Sequence, residues 1–104
     1  MGKRINNKKI YLMIKLFVYN TLLNPGIQVD IIGRELPGMV DSISGFKVLT
    51  DIPFARLVTE DNGIVYGKIL EISDDKIGLF DAHESNYVRS KIMTNNGQFV
   101  DIYV

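Results

Sequence analysis

The segment IYLMIKLFVYNTL, residues 10–22, constrains the fold more than any other part of the chain. Residues 10–18 are nearly all apolar and rich in β-branched and aromatic types, which is typical of a strand covered on both faces. The run contains Lys15 and falls short of the about 20 apolar residues that a bilayer span needs. No small-residue cleavage site follows it, as a secretory signal would require. We therefore predict a buried first strand at residues 10–18 in a soluble, cytoplasmic protein without a membrane partner.

Positive charge is concentrated before and at the start of this strand. The first 15 residues hold five bases and no acid, and the remainder holds seven bases and twelve acids. The formal charge of zero therefore conceals a basic head and an acidic body. We predict a flexible basic N-terminal arm at residues 1–9 and a single domain at residues 10–104. A frayed tail is the simpler interpretation of the arm, and a segment that contacts acidic lipid or RNA is the alternative.

The composition excludes several classes of chemistry. The 104 residues include no Cys and one His, so a disulfide framework, a thiolate nucleophile, a Cys-based zinc site and a His-rich metal site are all excluded. Because acids and bases number twelve each, we expect no nucleic-acid partner. The sequence predicts neither a metal nor another cofactor, and it leaves the oligomeric state open.

Downstream of the first strand, turn signals separate further apolar segments. Asn24-Pro25-Gly26 marks a turn, and residues 27–34 place isoleucines on one face of a possible short helix. Residues 39–50 are typical of a strand whose Gly45 indicates a bulge or a close approach by another segment. Pro53 precedes the next predicted strand.

Two Asn-Gly dipeptides predict β-hairpins, because Asn-Gly readily supplies the two positive φ angles of a type I′ turn. Asn62-Gly63 lies between the strand-like segments 55–60 and 64–72, and Asn96-Gly97 lies between 87–94 and 98–104. We expect a hairpin at each dipeptide.

Between these hairpins the sequence predicts one clear helix with an acid on its apolar face. Ser73 is a suitable N-cap, and two aspartates follow it at the positive end of the helix dipole. Ile77, Phe80 and Glu84 share one face. An acid is unfavourable at the negative end of a helix dipole, and an apolar face does not solvate its charge. Either the Glu84 carboxylate reaches water at the C-terminal end of the helix, or Glu84 is a functional acid retained despite these costs. Both interpretations stay open from the residues alone.

About six strands and one clear helix indicate an α+β fold, a small mixed β-barrel with flanking short helices. For several side chains a structural role competes with a functional one. Tyr87 and Tyr103 could line a pocket or pack as strand tyrosines, and Arg89 is expected to pair with an acid on a neighbouring strand.

Two segments taken together resemble the gamma-glutamylcyclotransferase-like superfamily, which includes gamma-glutamylamine cyclotransferase-like and avirulence-induced-gene-like proteins. Residues 16–22, LFVYNTL, resemble its motif FVYGTL, and residues 79–89, LFDAHESNYVR, resemble LDxxEGxxYxR. Residues 65–69, VYGKI, resemble VxGelY, and residues 102–104 resemble the closing aromatic strand. The resemblance covers roughly residues 14–104.

This resemblance implies an enzyme that cyclises a gamma-glutamyl amine or peptide to 5-oxoproline and releases the amine. It implies that backbone N–H groups of the loop Tyr19, Asn20, Thr21 and Leu22 bind the substrate carboxylate and that Glu84 is the general acid/base. Because the substrate's own α-amino group is the nucleophile, such an enzyme needs no Cys, Ser or metal.

Two departures from the family motifs motivate a second hypothesis, a catalytically silent small-molecule-binding module of the same fold. Asn20 stands where the family has Gly, and Glu84 and Tyr87 are one residue closer than usual. If the Gly serves a positive φ, Asn is the most tolerable replacement. If it lets backbone touch substrate, the Asn side chain would crowd the site. A third hypothesis is an adaptor whose basic arm binds an acidic partner.

Overall fold

The computed structural model describes residues 12–50 and 55–104. The predicted basic arm, the first two residues of the predicted first strand and Pro53 lie outside this part of the chain. The described residues form five strands and two helices, an α+β fold as predicted. The strands are β1 (Met13–Val18), β2 (Gly38–Leu49), β3 (Arg56–Ser73), β4 (Arg89–Met93) and β5 (Phe99–Tyr103), and the helices are α1 (Pro25–Ile32) and α2 (Ile77–His83).

Strand β1 lies in the middle of a mixed sheet whose order is β2-β3-β1-β5-β4. It pairs antiparallel with β3 along its whole length, from Met13 opposite Ser73 to Val18 opposite Lys68. On its other side it pairs parallel with β5. Its last three residues are buried, whereas its first three are exposed or half-buried, so the prediction of a strand covered on both faces is confirmed for the second half of β1.

The two faces of the sheet pack into separate apolar clusters. Leu16 and Val18 of β1 face the helices and pack with Leu22, Ile77 and Phe80, among others. Phe17 points to the opposite face, where it packs with side chains of β2, β3 and β5. This alternation follows from the period of two along a strand, and it places the end of β1 beside α2.

The predicted hairpin at Asn62-Gly63 is wrong. Both flanking segments belong to the single strand β3, and both pair with β2. Asn62 alone has a positive φ, 64°, whereas a type I′ turn needs two such residues. The dipeptide instead lies opposite Gly45, at the register shift between Ser44 and Phe46, so it forms a bulge in a long hairpin. The irregularity predicted at Gly45 is confirmed.

The predicted hairpin at Asn96-Gly97 is confirmed, but its turn differs from type I′. The N–H of Gly97 donates to the carbonyl of Thr94 at 2.9 Å, and Gly97 is the residue with positive φ, 82°. This is a three-residue loop ending in a left-handed glycine.

The same turn docks on the far edge strand, β2. The N–H of Asn95 donates to the carbonyl of Ser42 at 2.8 Å, and the Asn95 side chain bonds both Ser42 and Ser44. Among the described residues β2 and β4 do not pair, so the sheet is not closed. The predicted barrel is therefore an open, strongly curved sheet whose two edges are joined by a turn.

Both helices begin differently from the sequence prediction. Helix α1 starts two residues earlier, with Asn24 as N-cap and Pro25 at its first position. Ser73 does not cap α2: it ends β3, a turn follows, and Lys76 occupies the N-cap position without a side-chain bond. The long pairing of β3 with β1 retains Ser73 in the sheet. In the described ranges neither helix is long and apolar enough to cross a membrane.

Candidate functional site

Glu84 ends helix α2 with its side chain inside the protein. The residue is 6% exposed, and it shares the buried face of the helix with Ile77 and Phe80, as the spacing predicts. Its Oε1 atom has no hydrogen-bond partner among the described residues. Its Oε2 atom lies 3.9 Å from Nδ1 of His83. Of the two interpretations left open by the sequence, a carboxylate that reaches water is therefore wrong.

Burial raises the pKa of Glu84 above its usual range, because the surroundings solvate the charged form poorly. The neighbouring His83 and Asn20 side chains oppose this effect and lower the pKa. A carboxyl group with a raised pKa is a stronger base when ionised, so Glu84 is suited to accept and return a proton.

The loop after β1 lies beside this acid. Tyr19 to Thr21 leave the sheet, and residues Thr21–Leu23 form one turn of 3₁₀ helix. Asn20 has φ −131°, so its backbone does not need the conformational freedom of a glycine. Its Oδ1 accepts a hydrogen bond from the N–H of Leu22 at 3.2 Å.

The hydrogen bonds of this loop determine which amides are available. The N–H of Leu23 donates to the carbonyl of Asn20, and the N–H of Leu22 is taken by the Asn20 side chain. The N–H groups of Asn20 and Thr21 donate to no other residue of the described ranges. Of the four amides predicted to form an anion cradle, those of Asn20 and Thr21 have no partner in the described part of the chain, and that of Leu22 is occupied.

A cavity of about 250 Å³ connects the loop to the acid. Its lining residues come from the loop, from the end of α2 and the turn that follows it, and from the position before β3: Asn20, Thr21, Ala55, His83, Glu84, Asn86 and Tyr87. Ligand pockets are usually 300–1,000 Å³ for drug-sized molecules, so this volume suits a smaller compound. The structure thus brings four of the seven predicted site residues, Asn20, Thr21, Glu84 and Tyr87, to one cavity.

The other three predicted site residues lie next to the cavity but do not line it. Leu22 is buried in the core between sheet and helices. The hydroxyl of Tyr19 donates to the carbonyl of Tyr103 at 2.5 Å, and burial raises the pKa of Tyr19 to about 12, with smaller contributions from Tyr87 and Glu84. The hydroxyl of Tyr103 donates to Asp81 at 2.7 Å. These tyrosines tie β1, β5 and α2 together behind the cavity.

A second, larger cavity of about 370 Å³ shares Tyr87 with the first. Arg89 spans it by bonding Asp101 of β5 at 2.6 Å and Asp81 of α2 at 3.0 Å, which confirms the expected pairing with an acid on a neighbouring strand. Lys91 also bonds Asp101. Two acids and two bases neutralise one another here, so this cavity offers no free charge.

Sequence reasoning did not single out Asp81, Asn86 or Ala55. The signal for Asp81 was present, because it precedes Glu84 by three residues and therefore lies on a neighbouring face of α2. Ala55 and Asn86 carry no pattern of their own and reach the cavity through the tertiary fold. Within residues 12–50 and 55–104 no three His, Asp or Glu side chains form a group that could hold a metal ion.

The comparison with protein-family models decides the relationship. Residues 16–104 match the model described as gamma-glutamyl cyclotransferase, AIG2-like. The chain belongs to this family. None of the curated proteins matches it.

Several solved structures share the fold of this chain. A solution structure of an Arabidopsis thaliana protein has TM-score 0.77 and 26% identity over 94% of this chain and 65% of its own. A second Arabidopsis thaliana protein has TM-score 0.76 and 23% identity over 93% and 70%. A gamma-glutamyl cyclotransferase has TM-score 0.66 and 15% identity over 89% and 66%. This chain thus spans about two thirds of the length of these proteins.

Proposed function

We propose that this chain is a gamma-glutamyl cyclotransferase that converts a gamma-glutamyl amine or peptide to 5-oxoproline and releases the amine. The observation that carries the proposal is Glu84, a buried carboxylate in a small cavity beside loop amides, with one oxygen that has no hydrogen-bond partner among the described residues. Membership of the gamma-glutamyl cyclotransferase, AIG2-like family supports the same reaction class.

The reaction needs a proton acceptor more than it needs a nucleophile. The substrate's α-amino nitrogen attacks its own γ-carbonyl carbon, a new C–N bond closes the five-membered ring, and the bond to the leaving nitrogen breaks. An α-ammonium group has a pKa of roughly 8 and cannot attack while protonated. Two protons have to move, because the α-ammonium nitrogen carries three hydrogens and the ring nitrogen of 5-oxoproline carries one. In the proposed mechanism Glu84 takes the first proton before attack and gives it to the leaving nitrogen. It then takes the second proton from the ring nitrogen as the C–N bond breaks and gives it to the released amine, so charge and protons balance.

The loop after β1 is the proposed anchor for the substrate carboxylate. The N–H groups of Asn20 and Thr21, which have no acceptor among the described residues, would donate charge-assisted hydrogen bonds to it. Holding the carboxylate at one end of the cavity and Glu84 near the amine would fold the substrate into the ring-closing geometry. Such orientation can lower a reaction barrier by several kcal/mol. This mechanism requires no cofactor, because the substrate supplies the nucleophile.

Release of 5-oxoproline from a panel of gamma-glutamyl amines and peptides tests the proposal. Glu84→Gln keeps the shape of the side chain but removes the base, so we expect the rate to fall by roughly 10²–10⁴. Glu35→Gln is the matched control, because Glu35 is exposed and lies outside the cavity. Equal activity in wild type and Glu84→Gln would remove Glu84 from the mechanism.

One observation favours a second candidate, a binding module without catalysis. The Asn20 side chain accepts the N–H of Leu22, which leaves fewer loop amides to bind a carboxylate. In that case a small carboxylate such as 5-oxoproline would raise the melting temperature, and no gamma-glutamyl compound would be turned over. Detectable release of 5-oxoproline rejects this alternative.

A further inference from the structure

Asn20 makes a contact that its backbone position does not require. Its φ of −131° lies outside the left-handed region that favours glycine. As the N-cap of the 3₁₀ turn, its carboxamide oxygen accepts the N–H of Leu22, one of the four amides that the carboxylate anchor was expected to use. The side chain therefore fills a position in which an anionic oxygen would be bound.

We propose that Asn20 determines the affinity and selectivity of this site by acting as a built-in competitor for the substrate carboxylate. The inference rests on the proposed function, because it takes the loop as the anchor. A ligand that uses the N–H of Leu22 must first displace the Asn20 carboxamide. The site would then select gamma-glutamyl compounds with a free α-carboxylate over those whose α-carboxyl is amidated.

The selectivity follows from the relative strength of the two hydrogen bonds. A carboxylate accepts a charge-assisted bond, which is roughly twice as strong as the neutral bond that Asn20 makes. A neutral amide offers a bond of the same kind as Asn20 and gains little by replacing it. Displacement of the Asn20 carboxamide is therefore favourable for a charged ligand, and its free energy is close to zero for an uncharged ligand.

The position of Glu84 gives a second and independent indication that a ligand enters here. Its carboxylate is nine-tenths buried, lines the same cavity and has one oxygen without a hydrogen-bond partner in the described part of the chain. A ligand that places a hydrogen-bond donor in the cavity would satisfy this oxygen.

A ligand titration of Asn20→Gly tests the inference. Binding of 5-oxoproline is followed by NMR chemical shifts, which need no turnover. Loss of one neutral hydrogen bond should tighten binding about 2- to 10-fold. The matched control is Asn24→Gly, because Asn24 makes the same kind of bond to the N–H of Gly26, at 2.7 Å, but does not line the cavity. Asn24→Gly should bind like wild type.

Equal or weaker binding by Asn20→Gly, or tightening by both variants alike, would overturn the inference. A second variant, Asn20→Asp, retains a side-chain acceptor and adds a negative charge beside the carboxylate position, so it should weaken binding at least about tenfold. Unchanged affinity in Asn20→Asp would also overturn it. Failure of the proposed function appears separately, as absence of 5-oxoproline release in wild type while the affinities still change as expected.

Discussion

Replacing Glu84 with Gln should stabilise the fold at neutral pH. The Glu84 side chain is 7% exposed, its Oε2 lies 3.9 Å from Nδ1 of His83, and its Oε1 has no partner in the described part of the chain. A buried charge that is incompletely hydrogen-bonded opposes folding. Gln has nearly the same shape without the charge, so the variant should be more stable than wild type.

We expect Glu84→Gln to raise the free energy of unfolding by about 1 kcal/mol. An unsatisfied buried acceptor costs roughly 1–3 kcal/mol, and more when it is charged. Gln relieves only part of this cost, because its amide also lacks full hydrogen bonding in the same surroundings. For a domain of this size, a difference of 1 kcal/mol in the free energy of unfolding corresponds to roughly 4–8 °C in Tm.

The gain should depend on pH in a defined direction. Burial raises the pKa of Glu84 in the folded protein, so the folded state binds this proton more tightly than the unfolded chain. The resulting stabilisation is fully present below the unfolded pKa of about 4.3, and it is lost as pH rises through the folded pKa. The advantage of Gln over Glu is therefore small near pH 4 and complete at pH 8.

Urea unfolding of wild type, Glu84→Gln and the exposed-residue control Glu35→Gln at pH 4, 6 and 8 measures this difference. Because His83 is titratable and adjacent, the series is repeated in a His83→Gln background. Glu35→Gln should show no comparable trend. If Glu84→Gln is no more stable than wild type at pH 8, or differs by a constant amount at every pH, the carboxylate is not held as a poorly solvated charge and the reasoning is wrong.

Two further predictions concern the scaffold. A methyl group on Gly67 would overlap the carbonyl oxygen of Val18, so Gly67→Ala should lower the free energy of unfolding by about 2 kcal/mol or more. Gly78 lies in open space on α2, so Gly78→Ala should raise the free energy of unfolding by about 0.5–1 kcal/mol. If chemical denaturation ranks the two variants in the opposite order, Gly67 does not approach Val18 closely. Arg89→Met removes a charged partner of the buried Asp101, so it should lower the free energy of unfolding by about 1–3 kcal/mol. The double variant Arg89→Met/Asp101→Leu should recover part of this loss, and a strictly additive double-mutant cycle would show that the two residues are not coupled.

Local patterns predicted the parts of the fold that local forces determine. Strand β1 follows from its apolar run, the C-terminal hairpin from Asn96-Gly97, and the position of Glu84 on the face of Ile77 and Phe80 from its spacing. Asn62-Gly63 was misinterpreted because the same dipeptide also suits a bulge. Only the pairing of β3 with β2 on both sides of the dipeptide distinguishes these outcomes, and that pairing is a long-range property.

The candidate site shows the same division. A charged residue on an apolar helix face is a local signal, so Glu84 could be singled out as a candidate from its position, whereas the loop was predicted as an anchor only through the family resemblance. The bond from Leu22 to Asn20 depends on a backbone angle and a side-chain rotamer. The approach of Ala55 and Asn86 depends on how β3 and α2 meet the loop. None of these three features has a signature within a short window of sequence.

The burial of Glu84 affects both the stability of the fold and the basicity of its carboxylate. For each pKa unit by which folding raises the pKa of this carboxyl, the free energy of unfolding falls by about 1.36 kcal/mol when the carboxyl is ionised. The same increase brings the pKa of Glu84 closer to the pKa of the substrate's α-ammonium group. The ordinary gap between an α-ammonium and a glutamate is about 3.5 units. Burial of Glu84 moves its pKa toward that of the amine. In the proposed mechanism, the loop adds to this effect by holding the amine close to the carbonyl carbon. A cyclotransferase built on this site therefore depends on the loop as much as on the acid.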